Sequence, residues 1–343
     1  MHIKRTVVAE LVFPYAVSIF NTNQGRRVVI GTETRGDCIS INPDDLTREV
    51  IWRNMGGTMN VCQINPEGEF FAVQEFFKGM ASRTACLVKV TRQGGDWAVE
   101  RFFDLPFVHR TCVVTVDSAM FIVASTVARD KKNMGDWSLP GSTYVMRLPA
   151  DLSGPGELKP VIPALFKNHG MWKGRNQGRD VILVSGAEGV YEISVPSTPD
   201  GDWPAELIIR REVSDMVLFD IDSDGMDELI VIEKFHGSRL VVYKQELYGW
   251  REFYSYPINF GHVVWAGSLL GKPSIIVGYR GDNAALVLLR PDGIKDFRLQ
   301  MKPTIIDEHE GPTNIDILEE NGTARIFSCS GAKNRVMMYE LGE

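Results

Sequence analysis

An all-β fold, a seven-bladed β-propeller closed by its N-terminal strand, follows from three observations on this sequence. First, a very apolar segment returns roughly every 43 to 60 residues, a spacing typical of stacked or radial repeats. These segments are RVVIG (27–31), FFAVQ (70–74), MFIVAS (120–125), DVILVS (180–185), ELIVIE (228–233), SIIVGY (274–279) and RIFSCS (325–330). Second, most are followed after a Gly- and charge-rich loop by a run such as TACLVKV, STYVMRL, GVYEISV, RLVVYK, AALVLL or RVMMYEL. These runs are short, rich in Val, Ile, Leu and Tyr, and alternating or wholly apolar, which is strand and not helix periodicity. Third, no long amphipathic helix interrupts them. Seven four-stranded units suit a propeller, whose radial repetition leaves few exposed edges.

Taken in order, the units fall at 13–54, 56–106, 107–165, 166–212, 213–257, 258–301 and 302–343. The last unit lacks a fourth strand. MHIKRTVVAEL, residues 1–11, precedes the first unit and is predicted to supply it, closing the ring by hydrogen bonds and removing a free edge. The longest insertion, ARDKKNMGDWSLPGS (128–142), separates the second and third strands of blade three, and loops of that length on a compact scaffold are often lids or binding loops.

A net charge of -7 on 343 residues argues against general nucleic-acid binding, which needs a basic excess, and offers nothing to an anionic membrane surface. No apolar run is long enough to span a bilayer, and the N-terminal residues carry no secretory pattern. Five cysteines without CxxC spacing read as reduced thiols, so a cytoplasmic location is expected. Cys62 and Cys112 fall at packing positions between blades.

NHGMWKG and FGHVVWAG share a His-x-x-Trp spacing at the start of a first strand. Aligning the blades on the turn before the second strand places Tyr15, Met59, His109, His169, Met216, His262 and Thr313 in one phase. In a propeller the first strand lines the central channel, so these residues form a ring at its mouth. Neutral imidazoles from His109, His169 and His262 converging there suit Zn, Mn, Fe or Ni. The alternative is a water-filled channel lined by hydrogen-bonded polar side chains. His309, in DEHEGPTN, is either a fourth imidazole at the mouth or a surface loop residue.

The loops between second and third strands open on the same face. They carry Arg35, Lys78, Arg83, Arg239, Arg280, Lys333 and Arg335, a basic collar on an acidic chain. Arginine grips a carboxylate through two parallel hydrogen bonds, so an anionic sugar is the expected ligand, with Arg280 and Arg239 foremost and Tyr15 beside them. Gln74, Glu75 and Glu233 are placed to complete a metal shell, Glu75 or Glu233 could instead act as base, and His236 and Tyr279 are candidate acid–base groups. Trp137 is a candidate platform for a sugar ring. Each of these residues also reads as an ordinary solvated or anchoring side chain.

DIDSDGMDE (220–228) has the D-x-D-x-D-G pattern of a calcium loop, with Asp220, Asp222, Asp224 and Glu228 as oxygen donors for one structural ion. A polar hairpin turn has the same composition. The chain contains no GxSxG, P-loop, HExxH or strand-linked GxGxxG.

That acidic loop and the repeats together resemble seven-bladed propellers of the FG-GAP/VCBS type. Within that group, HVVWAGSLLGKPSIIVGYRGDNAALVLL is similar to blades of aldos-2-ulose dehydratase-type enzymes, which dehydrate and isomerise oxidised sugars at a metal-bearing propeller mouth. The mouth is also similar to that of oligogalacturonate lyases, which hold a divalent metal on three histidines and a glutamine. Carried over by position, the resemblance implies ligands at His109, His169 and His262, with Gln74 as a fourth. Met59 and Met216 depart from a complete His ring, and the larger dehydratases' additional domain has no counterpart here.

Two functions are therefore expected. One is a metal-dependent carbohydrate lyase, dehydratase or isomerase acting on a small sugar acid or ketosugar. The other is a non-catalytic propeller that binds a protein or glycan on its loop face.

Overall fold

The structure, a computed structural model, describes residues 2–342. Seven four-stranded antiparallel sheets form a closed ring, and β-structure accounts for nearly all regular elements beside two short 3-10 turns, Gly79–Thr84 and Gly331–Lys333. The innermost strands are Pro14–Thr22, Val61–Gln63, Val108–Val116, Gly170–Asn176, Val213–Phe219, Gly261–Leu269 and Asn314–Glu320. Each packs on the next round the circle, the seventh on the first. No helix among the described residues is long and apolar enough to cross a membrane.

The continuous apolar segments of the sequence are the second strands. Both faces of each are covered, one by the preceding blade and one by the following blade. FFAVQ is buried at every position, and Leu229, Ile230, Val231 and Ile232 have no exposed surface. The core is thus divided into inter-blade layers. One layer holds Ile230, Ile232 and Val242 of blade five against Ile275, Val277 and Val287 of blade six. Truncating any one of these to alanine removes contacts on both sides, at about 2–5 kcal/mol.

His2–Glu10 pairs antiparallel with Arg335–Gly342 as the fourth strand of blade seven. A bulge between Val7 and Ala9 turns Val8 and Ala9 inward, where both pack against Val17, Phe327 and Met338.

Blade six differs from its expected limit at residue 301. Its outer strand runs Arg298–Glu308 and pairs along its length with Ala285–Lys295. Pro303 falls within this edge strand, where a missing N–H costs no ladder bond. His309 follows that strand, is exposed, and is held at φ +72° with its N–H on Ala284 O. It stands away from the mouth, and Thr313 occupies the ring position, its hydroxyl donating to the carbonyls of Pro14 and Cys329.

The acidic loop 220–228 brings its carboxylates together round a cation of the chain itself. Lys244 Nζ lies 2.7 Å from Asp222, 2.8 Å from Asp224 and 2.7 Å from Glu228. Asp220 instead caps the turn, accepting from the N–H groups of Asp224 and Gly225. Lys244→Met leaves the fully buried Glu228 without a counter-charge and is expected to cost about 3–5 kcal/mol. Thermal melts with and without millimolar calcium check this: calcium should restore part of the variant's loss and leave wild type unmoved. A wild-type melting temperature that climbs with calcium would refute the internal counter-ion.

Candidate functional site

One local device shapes the mouth. In four blades the first strand slips register by one residue at its first or second ladder position: between Pro14 and Ala16, Val108 and Arg110, Val213 and Asp215, and Gly261 and Val263. A bulged residue is re-aimed out of the sheet's alternation. Here the bulged residues are Tyr15, His109, Ser214 and His262. Blade five therefore offers Ser214 at the ring position, and Met216 lies two residues further in, buried in the core between blades four and five. Alignment on the turn missed this because that turn is longer in blade five, between Phe219 and Glu228, than in blade six, between Leu269 and Lys272.

The imidazole that Ser214 does not provide comes from elsewhere in blade five. The loop after Glu228–Glu233 is tight, with Lys234 at φ +61° and His236 at φ +48°. A Cβ at Gly237 would lie 1.8 Å from Glu233 O, so only glycine permits the turn. The loop throws Phe235 and His236 over the channel. One ring nitrogen each from His169, His236 and His262 then lie within 4.8 Å of one another. His236 and His262 stack, with centroids 5.2 Å apart. His109 packs on His169 at 4.7 Å between centroids, and its Nε2 faces the Tyr15 hydroxyl at 3.5 Å.

The ring positions also brace one another. His169 Nδ1 is 3.0 Å from the carbonyl of Ser214, the equivalent residue of the next blade. That bond places the proton on Nδ1 and leaves the Nε2 lone pair free. Among the imidazole nitrogens of the cluster, His109 Nδ1, His236 Nε2 and His262 Nδ1 are buried without a partner.

Burial sets the charge state. It holds His109, His169 and His262 well below the ordinary histidine range, helped by Arg110 beside His109 and by Arg280 beside His262. It lowers His236 from 6.5 to about 4, again with Arg280 nearby. Tyr15 is pushed up to about 12 by the same desolvation. The cluster is therefore neutral imidazole and phenol at pH 7. The unfolded chain takes up the His236 proton near 6.5 and the folded chain only near 4, so stability present above 6.5 is lost as pH falls through that window. Complete protonation of His236 costs roughly 3 kcal/mol. Urea unfolding of chelator-treated protein at pH 7.5 and 5.5 checks this, with wild type expected to lose more stability than His236→Gln on acidification. Equal losses would refute it.

Above the imidazoles is a cavity of about 570 Å³ walled by Met59, Phe76, Trp137, Phe235 and Phe260. Trp137 meets Phe235 edge-on at 4.9 Å, and Phe235 meets His169 at 5.3 Å. Its charged groups are Glu33, Lys78, Lys131 and Arg280. Glu33 pairs with Lys78 at 3.1 Å, whereas no carboxylate pairs with Arg280 or Lys131 among the described residues.

Of the side chains singled out from the sequence, the cavity collects Tyr15, Lys78, His109, Trp137, His169, His236, His262 and Arg280. The others are committed to the scaffold. Gln74 accepts from Gly56 N–H and donates to Thr58, so both ends of its amide are used. Glu75 pairs with Arg101, and Glu233 with Arg239, Arg211 and the Tyr243 hydroxyl. Arg239 also bonds Glu252, Arg335 bonds Glu310, and Arg83 clasps Asp130 through two hydrogen bonds. Tyr279 packs against the layer between blades five and six. His236 itself moves from an acid–base assignment into the imidazole cluster. Phe76, Phe235, Phe260, Lys131 and Glu33 were not foreseen as site residues. The one signal for two of them was adjacency, Phe235 to His236 and Phe260 to the GH of blade six.

No family model matches this chain, and no curated protein does. Among 516 matching chains of solved structures, YCF48 from Cyanidioschyzon merolae superposes with a TM-score of 0.57 at 11% identity, over 98% of each chain. A likeness at this identity shows the propeller fold alone and leaves function to the site.

Proposed function

We propose that the mouth holds a divalent transition metal on His169, His236 and His262, and that the cavity above it carries out elimination or isomerisation on a small sugar acid or ketosugar. The observation that carries this is the convergence of three neutral imidazoles, buried His169 and His262 and half-buried His236, with nitrogens in mutual reach. A tetrahedral ion with M–N bonds of about 2.0–2.1 Å needs ligand nitrogens about 3.4 Å apart, which side-chain rotation can reach from within 4.8 Å. The Ser214 carbonyl on His169 Nδ1 is the outer-sphere brace that such ligands carry.

A bound ion would supply Lewis-acid stabilisation of an enolate. The remaining work falls to the chain. Arg280, without a carboxylate partner, receives the anionic end of the substrate. Trp137 and Phe235 give the ring an apolar wall and exclude water. His109 is neutral and faces Tyr15, so it is placed to take the proton adjacent to the carbonyl.

Elemental analysis of protein purified without a metal-affinity tag tests the reading, followed by a screen of uronates and ketosugars. About one transition-metal equivalent per chain, with a conjugated product absorbing near ~230 nm from a uronate, is the expected result. Zero stoichiometry that persists after Mn, Zn, Fe and Ni are added back would overturn it and leave a cavity that binds without catalysing.

A further inference from the structure

The insertion 128–142 contributes Lys131, Met134, Gly135 and Trp137 to the cavity wall. It is pinned rather than loose. Arg83 holds Asp130 at 2.7 and 3.0 Å and also reaches the carbonyl of Lys131. Ala128 and Pro140 close its base with an isolated bridge.

Within this wall Lys131 is unusual. The residue is 6% exposed, and its Nζ lies 3.2 Å from the centre of the Trp137 ring. Both acids of the insertion are turned to other work. Asp130 is taken by Arg83 and by the backbone of Lys131, and Asp136 accepts from Lys132 N–H and from Ser138. Its neighbour Lys132 is exposed. A buried amine kept from carboxylates in an apolar cavity is the setting in which lysine acts as a nucleophile and not as a fixed cation. Burial lowers the Lys131 ammonium below its ordinary range, opposed by Asp136 and by the face of the Trp137 ring, which attracts the charged form.

We propose that Lys131 is a carbonyl-condensing amine, whose Nζ forms an imine with the aldehyde or ketone carbon of a substrate seated against Trp137. The neutral amine's lone pair attacks the carbonyl carbon. The C–N bond forms as the carbonyl π pair moves to oxygen, which is protonated. Loss of that oxygen as water leaves a protonated imine, so lysine ammonium and carbonyl yield iminium and one water with no change of oxidation state. The idea rests on the proposed function only for the class of substrate, a carbonyl sugar, and not for the metal.

The test uses the full chain, treated with chelator, with pyruvate as the carbonyl probe and cyanoborohydride to reduce any imine to a stable secondary amine. Peptide mass spectrometry then compares Lys131 with Lys132, two adjacent amines in one peptide. Modification at Lys131 is expected to exceed that at Lys132 by about tenfold in the folded protein and to match it in urea. Lys131→Arg, which keeps the charge over Trp137, should abolish the adduct while leaving the circular dichroism spectrum unchanged. Equal or lower labelling of Lys131 in the folded protein would overturn the proposal. Metal content is read separately. Labelled Lys131 without metal sinks only the metal site, and bound metal with unlabelled Lys131 sinks only the imine.

Discussion

Replacing His236 with alanine is expected to weaken metal uptake by more than about 100-fold, above the 10- to 100-fold that outer-sphere partners carry. His169→Ala and His262→Ala should act alike, because each removes one of three nitrogens that meet at the mouth. His309→Ala should leave uptake unchanged, since that side chain is exposed beyond the outer strand of blade six. His109→Ala separates roles: an auxiliary imidazole that moves a proton should lose turnover while keeping the metal. Equilibrium dialysis against zinc or manganese, with circular dichroism to confirm folding, reads the series. Retention of wild-type affinity by His236→Ala would refute the cluster and return the choice to His109 with His169 and His262.

His236 also shows where sequence reasoning stops. The first-strand histidines were legible because His109, His169 and His262 share a phase with each other and a turn with their neighbours. The residue that joins two of them was not, because it comes from a different loop of a blade whose ring position is Ser214. The bulge is common to blades one, three, five and six, but the turn after the first strand spans residues 220–227 in blade five and only two residues in blade six, so alignment on that turn gave Met216 the place that belonged to Ser214. Charge was the other misleading signal. Arg83, Arg239 and Arg335 lie on the expected loops, yet each has a carboxylate across the turn or in the adjoining loop, and pairing turns the side chain to it. Arg280 differs by lacking such a neighbour, a property of three-dimensional surroundings that no spacing rule records.

The ring closure was legible, and it carries a large expected effect on stability. Val8→Asp should destabilise the protein by about 3–5 kcal/mol, because the carboxylate would enter a layer of Val17, Phe327 and Met338 that holds no counter-charge. For a chain of this size that corresponds to a fall in melting temperature of roughly 4–7 °C. Val7→Asp, one residue away but 44% exposed, should stay within about 0.5 kcal/mol. The contrast tests more than burial. Counted by simple alternation from the strand's end, either residue could face the core; the bulge between Val7 and Ala9 sends both Val8 and Ala9 inward. Equal effects of the two substitutions would mean that His2–Glu10 does not dock in this register. A docked strand also covers the open edge of Arg335–Gly342, whose free N–H and C=O groups would otherwise template pairing between molecules. Val8→Asp should therefore lower the concentration at which the protein aggregates on heating, and Val7→Asp, adding charge beside an intact edge, should not.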